Sequence, residues 1–307
     1  MEMSAILNSV ISLFIMILVG VYGGKRNIIN SKLNKGLTDI LIQISLPFMI
    51  VSSFIFTYDD SIKSNIIKTF YYSLIAYILI IIISYILVIP VKNDKKTVLH
   101  FANVFTNTGY VGFPILNSIY GPEGVIYGSI FNMFFVLLVW TYGIMLYEGK
   151  LNTKAIKSEI KKILLNPSII AVAIGILIFT YKIQLPHAIL FSINSIGNMT
   201  GPLSMIIIGV ILSKVKFRDH LNDWSIYYGI FTNLIAIPFI VYLIFYILFD
   251  SSIAILTVII MTAMPASTMT SILAESYNKE KEYAAILVSL TTLLSLITVP
   301  ILMKFMM

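Results

Sequence analysis

The chain has 307 residues, of which 58% are hydrophobic and 11% charged, and its mean hydropathy is +0.94. A soluble domain is roughly 45–50% apolar and about 25% charged, so the composition points to an all-α integral membrane protein in a lipid bilayer. The net charge of +7 fits membrane topology rather than nucleic-acid binding, as the placement of the basic residues argues below. The absence of cysteine excludes disulfides and thiol catalysis.

About 20 apolar residues are needed to cross the hydrocarbon core as a helix. Ten segments meet this: 5–22, 37–57, 69–91, 98–120, 124–147, 163–182, 186–213, 224–249, 252–276 and 283–305. The first carries Glu2 before its apolar run and Lys25 and Arg26 after it, the reverse of a signal peptide, and reads as a retained helix. The second holds Gln43, Ser45 and Pro47. The fourth contains NTGYVGFP, in which Asn107, Thr108, Gly109, Tyr110, Gly112 and Pro114 interrupt an apolar stretch. Asn132 lies in the fifth span and Pro167 near the start of the sixth, where a first helical turn tolerates it. The seventh has Asn198, Thr200 and Pro202, the eighth Asn233, and the ninth Pro265, Ala266 and Ser267.

Under strict alternation, 17 of the 21 Lys and Arg fall in one set of loops and 4 in the other. The positive-inside rule then puts both termini outside the cytoplasm of a multi-pass cell-membrane protein. No Lys or Arg falls at mid-membrane. The basic segment 148–162 separates a five-span repeat over 1–147 from a second over 163–307. An odd number of spans per half inverts the second half relative to the first, a common plan for secondary transporters. The prolines agree with it: Pro47 and Pro202 are 155 residues apart, and Pro114 and Pro265 are 151 apart.

Proline removes an amide hydrogen and clashes with the preceding turn, and freed backbone groups cannot face lipid unsatisfied. The fourth and ninth spans are therefore expected to break, with Gly109 and Gly112 allowing the departure from helix. Pro114 and Pro265 would then sit near the first turns of the second half-helices. Both second halves begin near the midplane and present partly positive N-termini there. Two such ends without a cationic side chain make a site for an anion. Asn107 is the first candidate to contact it, and Gln43, Asn198 and Asn132 are further candidates. Buried amides also serve simply to join helices, and a Gly/Pro kink can serve packing alone. Asp39 and Glu275 lie near cytoplasmic span ends, so a midplane carboxylate site for sodium or protons is not visible. His100, His187 and His220 are too scattered for a metal centre, and no acid–base pair, nucleophile or cofactor motif points to an enzyme.

Asn107-Thr108-x-x-x-Gly112-x-Pro114, followed by Ala263-x-Pro265 and Ala274-x-x-Tyr277-Asn278, resembles the auxin efflux carrier family, which includes the plant PIN-FORMED proteins. With the five-plus-five layout, the resemblance covers nearly the whole chain. It implies crossed, broken fourth and ninth helices, scaffold and transport domains, a homodimer, and elevator-type movement of organic anions, with Asn107 at a substrate-contacting position. The central loop is shorter than in many plant members, and Thr270 or a neighbour stands where a second proline is common. The implied substrates are therefore small carboxylates such as malate or malonate, as in microbial members, rather than auxin. The other reading is a sodium- or proton-coupled symporter or antiporter of related crossed-helix fold.

Overall fold

The computed structural model describes residues 3–56, 60–149, 160, 163–213, 223–249 and 252–306. Most of the segment 148–162, together with Lys214, Lys216, Arg218 and His220, lies outside the described residues. The described chain is helical, apart from one isolated antiparallel bridge. In order it forms α1 (Met3–Lys25), α2 (Ser31–Ile40), α3 (Leu46–Phe56), α4 (Asp60–Leu87), α5 (Asn93–Val104), α6 (Phe113–Leu138), α7 (Ile144–Glu148) and α8 (Pro167–Tyr181). Then follow α9 (His187–Gly197), α10 (Thr200–Ser213), α11 (Trp224–Phe231), α12 (Ile237–Leu248), α13 (Ile253–Thr262), α14 (Thr268–Ser276) and α15 (Lys281–Met306). Six continuous helical stretches are long and apolar enough to cross a membrane, among them Ser61–Leu87, Trp224–Leu248 and Lys281–Phe305. Three shorter apolar helices accompany them. Apolar side chains stand exposed along these helices, as Ile78, Ile82, Tyr246 and Ile247 do. The protein is a multi-pass membrane protein.

Among the described residues four π-helical turns interrupt the helices: Leu41–Ser45, Thr108–Gly112, Val139–Gly143 and Thr232–Ala236. Three of them end two residues before a proline, at Pro47, Pro114 and Pro238. A proline ring collides with the carbonyl four residues back. Widening the preceding turn by one residue moves that carbonyl aside and keeps the helix running. In α6 the helix instead kinks at Gly121 (φ 60°, ψ −147°), directly before Pro122. That φ lies in the region open to glycine and costly to other residues. The 41-residue run Thr108–Glu148 is thereby two segments rather than one.

The chain folds into two compact units, each drawing on both halves of the sequence. The first comprises Met1–Phe70, Gly109–Met133 and Ile163–Lys214. Its main contact is α1 against α10. Gly20 and Gly24 of α1 meet the backbone of Ile206 and the small Ser213, while Gly209 of α10 meets Ile17 and Gly20. Small residues four apart on each helix allow this backbone approach, the usual way helices associate without a hydrophobic drive. The other large contact is α3 against α8, where Gly175 receives the ring of Phe54. Gly175 lies 155 residues after Gly20, and Gly209 lies 155 after Phe54. The pair Gly20/Gly209 therefore recurs, with partners exchanged, as Gly175/Phe54. Between these contacts the buried hydroxyl of Ser45 bonds that of Thr200 at 2.7 Å, again 155 residues apart.

The second unit comprises Tyr71–Thr108, Phe134–Lys162 and Val215–Met307. Asp223 caps α11 by accepting from the Ser225 N–H at 3.0 Å, and it also pairs with Lys95. Partial burial pushes the Asp223 carboxyl up. The bonds from Lys95 and Ser225 outweigh this and hold it below the usual aspartate range. The Lys95 ammonium also lies over the Tyr283 ring, 5.5 Å from its centroid. At the end of α14, Asn278 adopts φ 51°. Lys279 N–H bonds Ala274 O at 2.8 Å and Asn278 N–H bonds Glu275 O at 3.1 Å. This is a Schellman stop with Asn in the left-handed position, and it gives the Ala274-x-x-Tyr277-Asn278 pattern a structural role.

Candidate functional site

Within the second unit the helices break where two short extended segments meet. α5 ends at Val104 and Phe105 turns extended (φ −108°, ψ 94°). α13 ends at Thr262, and Ser267, the N-cap of α14, is also extended (φ −67°, ψ 146°). Thr106 and Ala266 form an antiparallel bridge. The Asn107 N–H donates to Pro265 O at 2.7 Å, and the Ser267 N–H donates to Phe105 O at 2.9 Å. Each broken segment thus supplies the partner that the other lost, the condition for irregular backbone at membrane depth.

Side chains brace the crossing. The Thr106 hydroxyl donates to Met261 O at 2.8 Å, one turn back from the break in α13. The Thr291 hydroxyl of α15 accepts from the Ala266 N–H at 3.3 Å. The Ser267 hydroxyl accepts from the Met269 N–H at 3.2 Å and so caps α14. Thr106, Asn107, Thr108, Ala266 and Ser267 are all buried.

The break differs in place from the sequence expectation. Gly109 and Gly112 lie inside the π-helical turn Thr108–Gly112 rather than at the departure from helix, which comes earlier, at Phe105–Asn107. Pro265 stands in the extended bridge two residues ahead of the Ser267 cap, near the first turn of its half-helix. Pro114 follows the π turn and lies six residues beyond the helical start at Thr108. The glycines and prolines signal tolerance for a break, while the reciprocal hydrogen bonds decide where it falls.

The crossing brings Asn107 and Thr108 together with Pro265, Ala266 and Ser267. Gly109, Tyr110, Gly112 and Pro114 continue along the helix that starts at Thr108 and belong to the first unit. So do Gln43 and Asn198, both exposed, and the buried Asn132. Thr106, Asn103 and Thr291 have no place in the sequence reading, and Asn233 had none in the site. A single hydroxyl or amide in an apolar span gives no periodic signal. Asn103, three residues before Thr106 on a helix about to break, is the one that its nearness to NTGYVGFP could have raised.

His100, near the start of its span, is buried. Its Nδ1 lies 2.8 Å from the Ser84 hydroxyl and its Nε2 2.7 Å from the Tyr142 hydroxyl. Among the described residues no three His, Cys, Asp or Glu gather as a metal site. What the crossing offers is two helical starts, at Thr108 and Thr268, leaving one hydrogen-bonded bridge. Each carries roughly half a positive charge in its first turn.

The sequence pattern of a family described as membrane transport protein matches residues 5–303. An uncharacterized transporter of Methanocaldococcus jannaschii is 25% identical over 303 residues, spanning 94% of this chain and 95% of its own. A second uncharacterized transporter, from Methanothermobacter thermautotrophicus, is 21% identical over 300 residues, spanning 95% of this chain and 96% of its own. The relatives are named as transporters, not as enzymes.

Proposed function

Because the chain belongs to the membrane transport protein family, that of the auxin efflux carriers, we propose that it is a secondary carrier of small organic anions. The substrate's carboxylate binds at the crossing of the fourth and ninth spans, beside Asn107, Thr108 and Pro265–Ser267. The observation that carries this reading is the pair of helical starts leaving one bridge. Together they supply about one positive charge in a region without Lys or Arg, so one carboxylate is matched without a cationic side chain. A second carboxylate at the same depth would need a further positive charge or a proton, since burying an unpaired charge costs several kcal/mol.

The architecture proposed is ten spans in two inverted repeats, 1–147 and 163–307, joined by 148–162. The recurrence of Gly20/Gly209 as Gly175/Phe54 supports it, as does the Ser45–Thr200 contact. Residues that meet their own repeat mates lie on a pseudo-two-fold axis. Gly121 supports counting Thr108–Glu148 as two spans, because 41 helical residues would run about 60 Å through a core of roughly 30 Å. Elevator-type alternating access and a homodimer complete the proposal, both implied by family resemblance. Gln43, Asn198 and Asn132 remain candidates on the substrate path.

Binding to purified protein across a panel of carboxylates, with saturable counterflow in vesicles, tests the function. Carboxylates should compete with one another, and their uncharged amide analogues should not. A preference for neutral or cationic solutes would refute it. The orientation, with both termini outside the cytoplasm of the cell membrane, has its own test. Since the chain lacks cysteine, single cysteines replacing Lys154 and Ser252 should label from opposite sides. Same-side labelling would rule out the five-plus-five arrangement.

A further inference from the structure

One turn before the crossing, in the second unit, α5 and the π turn Thr232–Ala236 share a buried polar cluster. The Asn233 Nδ2 donates to Ala102 O at 3.0 Å. The Thr232 hydroxyl lies 3.2 Å from Asn103 Oδ1 and 3.1 Å from Gly229 O. Asn103 and Asn233 are each 1% exposed. Yet Asn103 Nδ2 and Asn233 Oδ1 are buried without a hydrogen-bond partner, a costly arrangement for two polar groups in an apolar interior.

A hydroxyl has one proton, so Thr232 cannot donate to both of its acceptors. If it donates to Gly229 O, as helical Ser and Thr commonly do, its oxygen becomes the acceptor, and Asn103 must turn its amide to donate to it. The two ends of an amide have nearly the same shape, so hydrogen-bond chemistry decides which end is oxygen. The end of Asn103 left free is then oxygen, as is the free end of Asn233. The backbone adds a third. Ile237 N–H donates to Thr232 O, and Pro238 has no N–H, so the Asn233 carbonyl lacks the donor that a regular α or π turn would send it.

We propose that Asn103 and Asn233 form a binding site for a small monovalent cation, sodium, coordinated by neutral amide and carbonyl oxygens next to the span 4/span 9 crossing. Hard oxygen donors suit an alkali cation, and the absence of a carboxylate from the cluster fits a single charge rather than two. The site deepens the anion-carrier reading and rests on it for its purpose. Asn103 is four residues from Asn107, at most about 14 Å even if fully extended. A cation there would supply the positive charge that a buried carboxylate, or the second one of a dicarboxylate, lacks. Sodium and carboxylate would then raise each other's affinity by the same factor.

The test uses the full-length protein in detergent, with sodium chloride alone as the probe and choline chloride holding ionic strength constant. Wild type should show a saturable rise in Tm of about 5 °C at a hundred times Kd, with potassium and choline giving less. Asn103→Leu should lose the sodium response. Asn103→Asp keeps size and shape and should tighten sodium binding at least tenfold, which keeps the idea testable if Asn103→Leu does not fold. Equal Tm in sodium and choline for wild type would overturn the proposal and leave the cluster as a water site only. An unchanged sodium response in both variants would overturn it as well. No carboxylate is present, so this outcome is independent of whether the anion-carrier reading holds. The mutual effect is then read from carboxylate binding with and without sodium.

Discussion

Gly209→Ala should lower stability by about 3 kcal/mol, at the upper end for overpacking, even though alanine is intrinsically the better helix residue by about 1 kcal/mol. The added methyl would overlap the carbonyl oxygen of Ile17 and lie 2.7 Å from the α-carbon of Gly20. Both obstacles are backbone, so α1 and α10 must separate as whole helices, and the packing along their shared length loosens. Gly175, 155 residues after Gly20, behaves differently. In Gly175→Ala the methyl would meet the Phe54 ring, 2.7 Å from Cγ. A side chain can turn aside, so the loss should be closer to 1 kcal/mol, near the lower end for overpacking. Gly36→Ala, with nothing within 4 Å and on exposed α2, should be neutral or slightly stabilising. Thermal unfolding of the three variants in one detergent checks the order. Equal Tm values for Gly209→Ala and Gly36→Ala would show that the close approach of α1 and α10 carries no weight.

Asn107→Ala should weaken carboxylate binding tenfold or more while leaving Tm near wild type. A hydrogen bond to a charged group is worth about 1.5–3 kcal/mol, and about 1.4 kcal/mol is a factor of ten. The bond from residue 107 to Pro265 O comes from its backbone N–H, which alanine retains, so the crossing stays intact. Asn107→Pro deletes that donor and should fail to assemble the crossing. Normal binding with a Tm loss typical of a lost helix cap, about 1 kcal/mol, would assign the amide to capping the helix at Thr108 instead.

Much of the architecture was legible because transmembrane segments obey few rules. Length and hydropathy set out the apolar helices of a multi-pass protein, and the spacing of Pro47/Pro202 and Pro114/Pro265 is what motivates the proposed repeat. The same 155-residue spacing relates Gly20 to Gly175 and Ser45 to Thr200, yet neither pair stands out in the sequence. Glycine and serine are common in membrane helices, and their meaning lies in which helix they face. The break in the fourth span was expected at Gly109–Pro114 and lies at Phe105–Asn107. Local chemistry allows a helix to end at any of these positions. The choice was made by a partner more than 150 residues away, since the extended segment had to align its N–H and C=O groups with Pro265–Ser267. The π turns were equally hidden: a proline announces a disturbance, but not that the turn before it will widen rather than break.

The crossing is held by N–H and C=O groups that every residue except proline possesses. The bridge bonds themselves therefore do not depend on which side chains stand at Phe105 and Asn107, while the hydroxyls of Thr106 and Ser267 add the braces that hold Met261 O and the start of α14. Over evolutionary time the residues around the bridge can be exchanged one by one without the scaffold collapsing between steps. A lineage can thus shift from one cargo to another by gradual substitution. In engineering terms, a saturation library at Asn107 should return mostly folded protein with proline depleted, whereas one at Ser267 should favour residues able to cap α14.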